Sequence, residues 1–234
     1  MNANVLPRPG LIGSAANIAA PSRARFVREV HGWNPENFAR EQIRGLVRRV
    51  FLSNTGEPVK QVVFTAAEST TDMGDICDQV GHALALETSA EIAIVSHNSA
   101  AEMPKLQSYR YAGSTGIKSL STQVAANLWR VPESGLQELC PEPARDHCWL
   151  WALAELRNDF EYAVIQGVAA NVSSESGFLG QLADGIILVL EAHGTRRATA
   201  RKIKEMLEGT RSRILGTILS QRTFPVPEQI YRRL

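Results

Sequence analysis

The residues best placed to do chemistry follow an apolar run. Gln61–Ala66 (QVVFTA) reads as a buried strand, and the chain continues Ala67-Glu68-Ser69-Thr70-Thr71-Asp72-Met73-Gly74-Asp75. A strand-to-helix loop is where glycines let backbone amides converge on a phosphate, a lysine neutralises it and a hydroxyl holds magnesium. This loop has the position without the composition. It has no lysine, Gly74 is its sole glycine, and Asp72 and Asp75 repel an anion.

Other chemical candidates carry less. Cys140, His147 and Cys148 offer N and S donors without a convincing fourth ligand, so ordinary packing is expected there rather than zinc, and no metal is expected anywhere. His97 follows a strand but has no nucleophile–base partner nearby in sequence. Cys77 is expected in the core. Trp149 and Trp151 are expected to pack a helix rather than stack on bases. Glu41, Arg44 and Arg48 fall near one helix face, because residues three and four apart are neighbours there. That face is either simply solvated or a contact surface.

The elements that must position these groups alternate in type. Asn34-Pro35-Glu36 has the form of a helix start, and Ile43, Leu46, Val47 and Val50 follow at helical spacing, predicting an amphipathic helix over roughly 36–52. Residues 53–58 are turn-rich. Strands are predicted at 61–66, 91–96, 127–131, 162–166, 185–190 and 213–220. Helices are predicted at 76–86, at 144–158 with Trp149, Leu150, Leu153 and Leu156 inward, and at 195–208 with Thr195 as cap, Ile203, Met206 and Leu207 on one face, and Gly209 as the stop. Residues 97–126 are polar and read as irregular. Short apolar strands separated by helices give an α/β fold: a three-layer αβα domain around a mostly parallel sheet, expected over 34–234. Residues 1–33 mix Pro, Gly, Ala, Ser and Arg without periodicity and are expected to be a mobile tail.

Composition excludes several classes. A chain of 234 residues with 44% hydrophobic and 21% charged residues can bury a core without staples. A net charge of +1 argues against a nucleic-acid binder held by bulk charge. Three cysteines make no disulfide framework, which suits a reducing cytoplasm. No apolar run reaches the length of a membrane span, and none of the first residues reads as a signal peptide. The charge is unevenly distributed: +5 over 1–52, −5 over 53–87, +2 over 88–130, −8 over 131–194 and +7 over 195–234. The loop after the first strand lies in the −5 block.

Several stretches carry a family resemblance. They are "EQIRGLVRRVFLS", "NLWRVPESG", "LRNDFEYAVIQ", "LADGIILVLEAHGTRRATARKIKEMLE", "RILGTILS" and "FPVPEQIYRRL". Their joint order, over about four-fifths of the chain, resembles the cytoplasmic domain of the bacterial tyrosine kinases of polysaccharide biosynthesis, P-loop proteins related to the deviant Walker ATPases. The family's first phosphate loop runs Thr-Ser-Ala-x-x-Gly-Glu-Gly-Lys-Ser/Thr-Thr. Laid on it, "TAAESTTDMGDI" puts Thr70 and Asp72 at the glycines, Met73 at the lysine, Gly74 at the magnesium-binding hydroxyl and Asp75 at the next threonine. The second motif, an apolar strand ending Asp-x-Asp, becomes Ser96 and Asn98; the acid of the third becomes Gln166; the asparagine ending the late strand becomes Ser220. The family's Glu-x-x-Arg-x-x-Arg oligomerisation motif is half kept, with Glu41 and Arg44 in place and Arg48 one position late.

The resemblance implies a kinase-like P-loop NTPase fold whose catalytic groups are gone. It implies a pseudokinase-like scaffold or regulatory partner in exopolysaccharide assembly, held at the inner face of the membrane through the cytoplasmic part of a polysaccharide co-polymerase, with no cofactor and no catalytic residues. Two alternatives stay open. One is a divergent autokinase or ATPase that uses Mg-ATP, with Arg110, Lys105 or Lys118 as replacement cation, Asp72 or Asp75 as metal ligand and Tyr231 as phosphoacceptor. The other is a self-associating module built on Glu41, Arg44 and Arg48, unrelated to polysaccharide.

Overall fold

Periodicity places the strands, and a computed structural model shows how they pair. It describes residues 35–53, 56–96 and 116–221. The expected tail at 1–33 lies outside them. The elements are α1 (Pro35–Val50), β1 (Gln61–Ala66), α2 (Met73–Glu87), β2 (Ile92–Ser96), β3 (Thr122–Ala125), β4 (Leu128–Pro132), α3 (Glu133–Leu139), α4 (Cys148–Asp159), β5 (Tyr162–Gln166), α5 (Glu175–Leu182), β6 (Gly185–Glu191), α6 (Arg197–Gly209) and β7 (Ile214–Ser220).

The seven strands form one sheet in the order β3-β4-β2-β5-β1-β6-β7. All neighbours are parallel except β3, which pairs antiparallel with β4. The continuous apolar runs are explained by burial on both faces: every residue of β1 is buried. Val62, Phe64 and Ala66 pack with α1 and α2 through Val47, Cys77, Val80 and Leu84. Val63 faces the opposite layer, where Leu136, Leu153, Leu156, Leu179, Ile203 and Leu207 come from α3 to α6. The three-layer αβα expectation therefore holds. At Gly81 a Cβ would lie 2.5 Å from Ile94 Cδ1, so α2 sits on the sheet at a distance a side chain there would block.

Several local expectations are corrected. The second helix begins at Met73 rather than Ile76, because Asp72 caps it. Leu150 is 56% exposed, not inward; the buried face of α4 is Ala152, Leu153 and Leu156. Met206 is likewise 37% exposed beside the buried Ile203 and Leu207. Thr195 does not cap α6: Arg196 holds that position without a side-chain bond, while Thr195 Oγ1 accepts from the Glu191 amide. Within the stretch read as irregular, residues 116–126 hold a 3-10 turn (Ile117–Leu120) and β3; residues 97–115 lie outside the described residues. The short helices α3 and α5 are not predicted by periodicity.

Candidate functional site at the carboxyl edge of the sheet

In a parallel sheet, ligands meet the crevice at the carboxyl ends of the strands. The order β2-β5-β1-β6-β7 lines up five of those ends. Ser96 closes β2, Gln166 closes β5, the loop after Ala66 closes β1, Glu191 closes β6 and Ser220 closes β7. The topology thus brings Ser96, Gln166, Ser220 and the 67–75 loop to one edge. Asn98, His97, Lys105, Arg110 and Tyr231 lie outside the described residues.

The loop is held by the chain's own carboxylates. Asp72 sits at the N-cap of α2 and its Oδ1 accepts the Asp75 amide at 3.2 Å. A helix start has unsatisfied N–H groups and a positive dipole end, and this carboxylate supplies the negative charge a phosphate would supply. Asp75 Oδ2 accepts from Gln79 Nε2 at 2.7 Å one turn on. Met73, the first residue of α2, is 6% exposed and belongs to the core between α2 and the sheet. Before the cap, Thr70 and Thr71 hydroxyls donate to Glu191 Oε1 at 2.8 and 3.1 Å. The Ala67 amide continues the sheet by donating to Val189 O.

Glu191 is the group sequence reasoning missed. The turn after β6 wraps it: its amide donates to Thr195 Oγ1, and a Cβ at Gly194 would lie 2.3 Å from its Oε2. The only sequence signal was an acid directly after an apolar strand. Glu191→Ala leaves both threonine hydroxyls without this acceptor. Its expected effect is faster amide hydrogen exchange over 68–72 with a stability loss of about 1 kcal/mol or less, since exposed hydrogen bonds contribute little net. Gly194→Ala, which displaces the same carboxylate, should loosen the same amides; unchanged exchange in both variants would remove the clamp.

The remaining ends are polar but not acidic. Ser96 Oγ is buried with no hydrogen-bond partner among the described residues. Ser220 Oγ donates to Leu190 O at 3.2 Å. After β5 the backbone folds tightly: Gly167 donates to Phe64 O at 2.8 Å, and a Cβ there would meet Ser176 Oγ at 2.7 Å. Val168 O takes both the Thr65 hydroxyl, at 2.7 Å, and the Ser176 hydroxyl.

Two sets of candidates are not at this edge. Lys118 pairs with Glu91 at 3.2 Å and lies 4.8 Å over the Trp129 ring. Glu91 precedes β2, so Lys118 stands at the amino edge of the sheet, at the opposite end of the strands from the 67–75 loop. Arg48 donates through Nε and Nη2 to both carboxylate oxygens of Glu87 at 2.9 and 3.0 Å, and Arg44 approaches Glu87 at 3.8 Å and Glu41 at 4.0 Å. The Arg48 fork holds the Glu87 carboxyl below its ordinary value. Both arginines are thus engaged within the chain, tying α1 to the end of α2. The helix tryptophans pack as expected against the core, Trp149 also donating to Glu175. Among the described residues, no group of three or more His, Cys, Asp or Glu could hold a metal ion.

Comparison with known proteins decides the fold family. No protein-family model and no curated protein matches the sequence. Solved structures do match. The chimerical protein CapA2B2 aligns over 79% of this chain and 85% of its own, with TM-score 0.58 and 16% identity. The kinase domain of Escherichia coli tyrosine kinase ETK aligns over 88% of both chains, with TM-score 0.55 and 13% identity. The chain has the fold of the bacterial tyrosine-kinase domains. The same fold extends to the MinD cell division protein of Aquifex aeolicus, TM-score 0.52 and 13% identity over 75% of this chain and 73% of that one. The expected α/β fold around a mostly parallel sheet is borne out. Among the described residues, no helix is long and apolar enough to cross a membrane.

Proposed function

We propose that this chain is a tyrosine-kinase-like protein of exopolysaccharide assembly that does not turn over ATP. It acts as a scaffold or regulatory partner of the cytoplasmic part of a membrane polysaccharide co-polymerase, in the cytoplasm and at the membrane only through that partner. The observation that carries this reading is the start of α2, where Asp72 caps the helix and Met73 is core. Phosphoryl transfer needs positioned cations that offset developing charge. One such stabilising group is commonly worth about 3–4 kcal/mol of barrier. The lysine, the magnesium hydroxyl and the acidic positions at Ser96, Asn98 and Gln166 are all replaced here. The sheet that would carry them is kept whole.

The test is the melting temperature of the purified chain with millimolar Mg-ATP. A ligand at a hundred times its Kd stabilises by about 2.7 kcal/mol, roughly 5–10 °C for a domain of this size. The expected shift is under about 1 °C, because nothing at the loop draws the nucleotide to the native state. A clear rise, or labelled phosphate appearing on Tyr231, supports the autokinase reading instead. A positive result for the scaffold is retention of the chain by the purified cytoplasmic segment of a co-polymerase encoded beside it, without nucleotide.

A further inference from the structure

Two of the three cysteines meet at the corner between α3 and α4. Cys140 caps the C-terminus of α3, and its amide donates to Leu136 O at 3.1 Å. Pro141 and a 3-10 turn over Glu142–His147 then fold the chain back. This brings Cys148, the first residue of α4, to the same carbonyl, with its Sγ 3.9 Å from Leu136 O. The Cys140 amide and the Cys148 thiol thus share the Leu136 carbonyl, which sets the two residues side by side. The third cysteine, Cys77, is fully buried in the core on the other face of the sheet and cannot reach them.

We propose that Cys140 and Cys148 are a modification site, a dithiol that oxidises reversibly to an intrachain disulfide. Two cysteines that meet at one backbone carbonyl across a single turn are close enough in the fold for a disulfide to be a reasonable link between them. The two differ in access: Cys140 is 5% exposed, whereas Cys148 is partly exposed. That difference orders the chemistry. The Cys148 thiolate attacks a low-molecular-weight disulfide, forming a mixed disulfide and releasing one thiol. The Cys140 thiolate then attacks Cys148 Sγ and releases the second thiol. The protein loses two protons and two electrons, and one glutathione disulfide, taking up both, becomes two glutathiones. Burial, with the neighbouring Cys140 thiol adding to it, pushes the Cys148 thiol up to about 12. Little thiolate is present at neutral pH, so the exchange is slow and answers sustained oxidation rather than a brief pulse. Once formed, the bond ties the end of α3 to the start of α4 and fixes the turn between them.

The experiment uses the full chain, incubated with excess glutathione disulfide, then denatured, alkylated with N-ethylmaleimide and weighed by intact mass spectrometry. Reduced protein should take three maleimides. Oxidised protein should take one, on Cys77, with a mass two hydrogens lower and no glutathione attached. Dithiothreitol should restore three. Cys140→Ser should stop at a glutathione adduct on Cys148, because no second thiol resolves it. Cys148→Ser should keep both remaining thiols free. Near-UV circular dichroism shows that each variant is folded. Three maleimides on wild type after long incubation, or a glutathione adduct that persists with Cys140 present, would overturn the proposal.

Discussion

Replacing Asp184 by alanine should lower stability by about 3 kcal/mol at pH 7, because one carboxylate closes the start of two central strands. Asp184 Oδ2 accepts the Lys60 and Gln61 amides at 2.7 and 2.8 Å, and Oδ1 accepts Arg157 Nη2 at 2.6 Å. The Asp184 amide returns a bond to Gln61 O at 2.9 Å, so β1 and the turn before β6 grip each other. Hydrogen bonds to a charged group contribute about 1.5–3 kcal/mol each, and their loss is not additive. The Asp184 side chain is 20% exposed but Arg157 is 39% exposed, so solvent screens the ion pair and the two amide bonds carry most of the effect. Burial pushes this carboxyl up, but the Arg157 guanidinium and the two amides outweigh it and hold it below its ordinary value. A depressed carboxyl contributes stability that is complete above the unfolded pKa and disappears as pH falls through the folded one. Urea unfolding should therefore show a constant gap between wild type and Asp184→Ala from pH 7 to about pH 5, closing below about pH 4. A gap of under about 1 kcal/mol at pH 7, or one equally wide at pH 3, contradicts the clamp.

Asp184 and Glu191 show where sequence reading stops. The strands were legible because burial on both faces leaves uninterrupted apolar runs, as in Gln61–Ala66 and Gly185–Leu190. The helix after β1 was legible too, although its true cap, Asp72, was read only as a charge hostile to phosphate. The partners of Glu191 and Asp184 were not legible, since both depend on β6 lying beside β1, and strand order is a property of the whole sheet. Lys118 was misplaced for the same reason: the polar segment gives no sign of which sheet edge it returns to. Leu150 and Met206 are hydrophobic at helical spacing yet exposed, because each helix buries a narrower stripe than its apolar residues span. Thr195 looked like a cap by residue type, but its hydroxyl is occupied by the amide of Glu191.

Placing a lysine at Met73, where the sequence resemblance sets the lysine of the tyrosine kinases, should damage this protein. Met73→Lys puts an ammonium at a side chain that is 6% exposed, among Val47, Cys77 and Val80, with the cap carboxylate of Asp72 already bonded to the Asp75 amide. It also places a cation in the first turn, where the helix dipole disfavours it. An unpaired buried charge costs several kcal/mol, or the lysine must lose its proton or rebuild the loop. The expected loss is about 3 kcal/mol, or roughly 6–12 °C in Tm for a domain of this size. Met73→Leu, similar in volume and uncharged, should cost under about 1.5 kcal/mol. Millimolar Mg-ATP should not rescue Met73→Lys, because Asp72 still caps the helix start and Thr70 and Thr71 remain bound to Glu191. The opposite result would be a lysine variant that melts with wild type and gains a nucleotide-dependent rise in Tm. That would mean the loop is still a phosphate cradle lacking one side chain, and the scaffold reading would fall with it. The outcome turns on whether position 73 now belongs to the core or to a site, and its neighbours place it in the core.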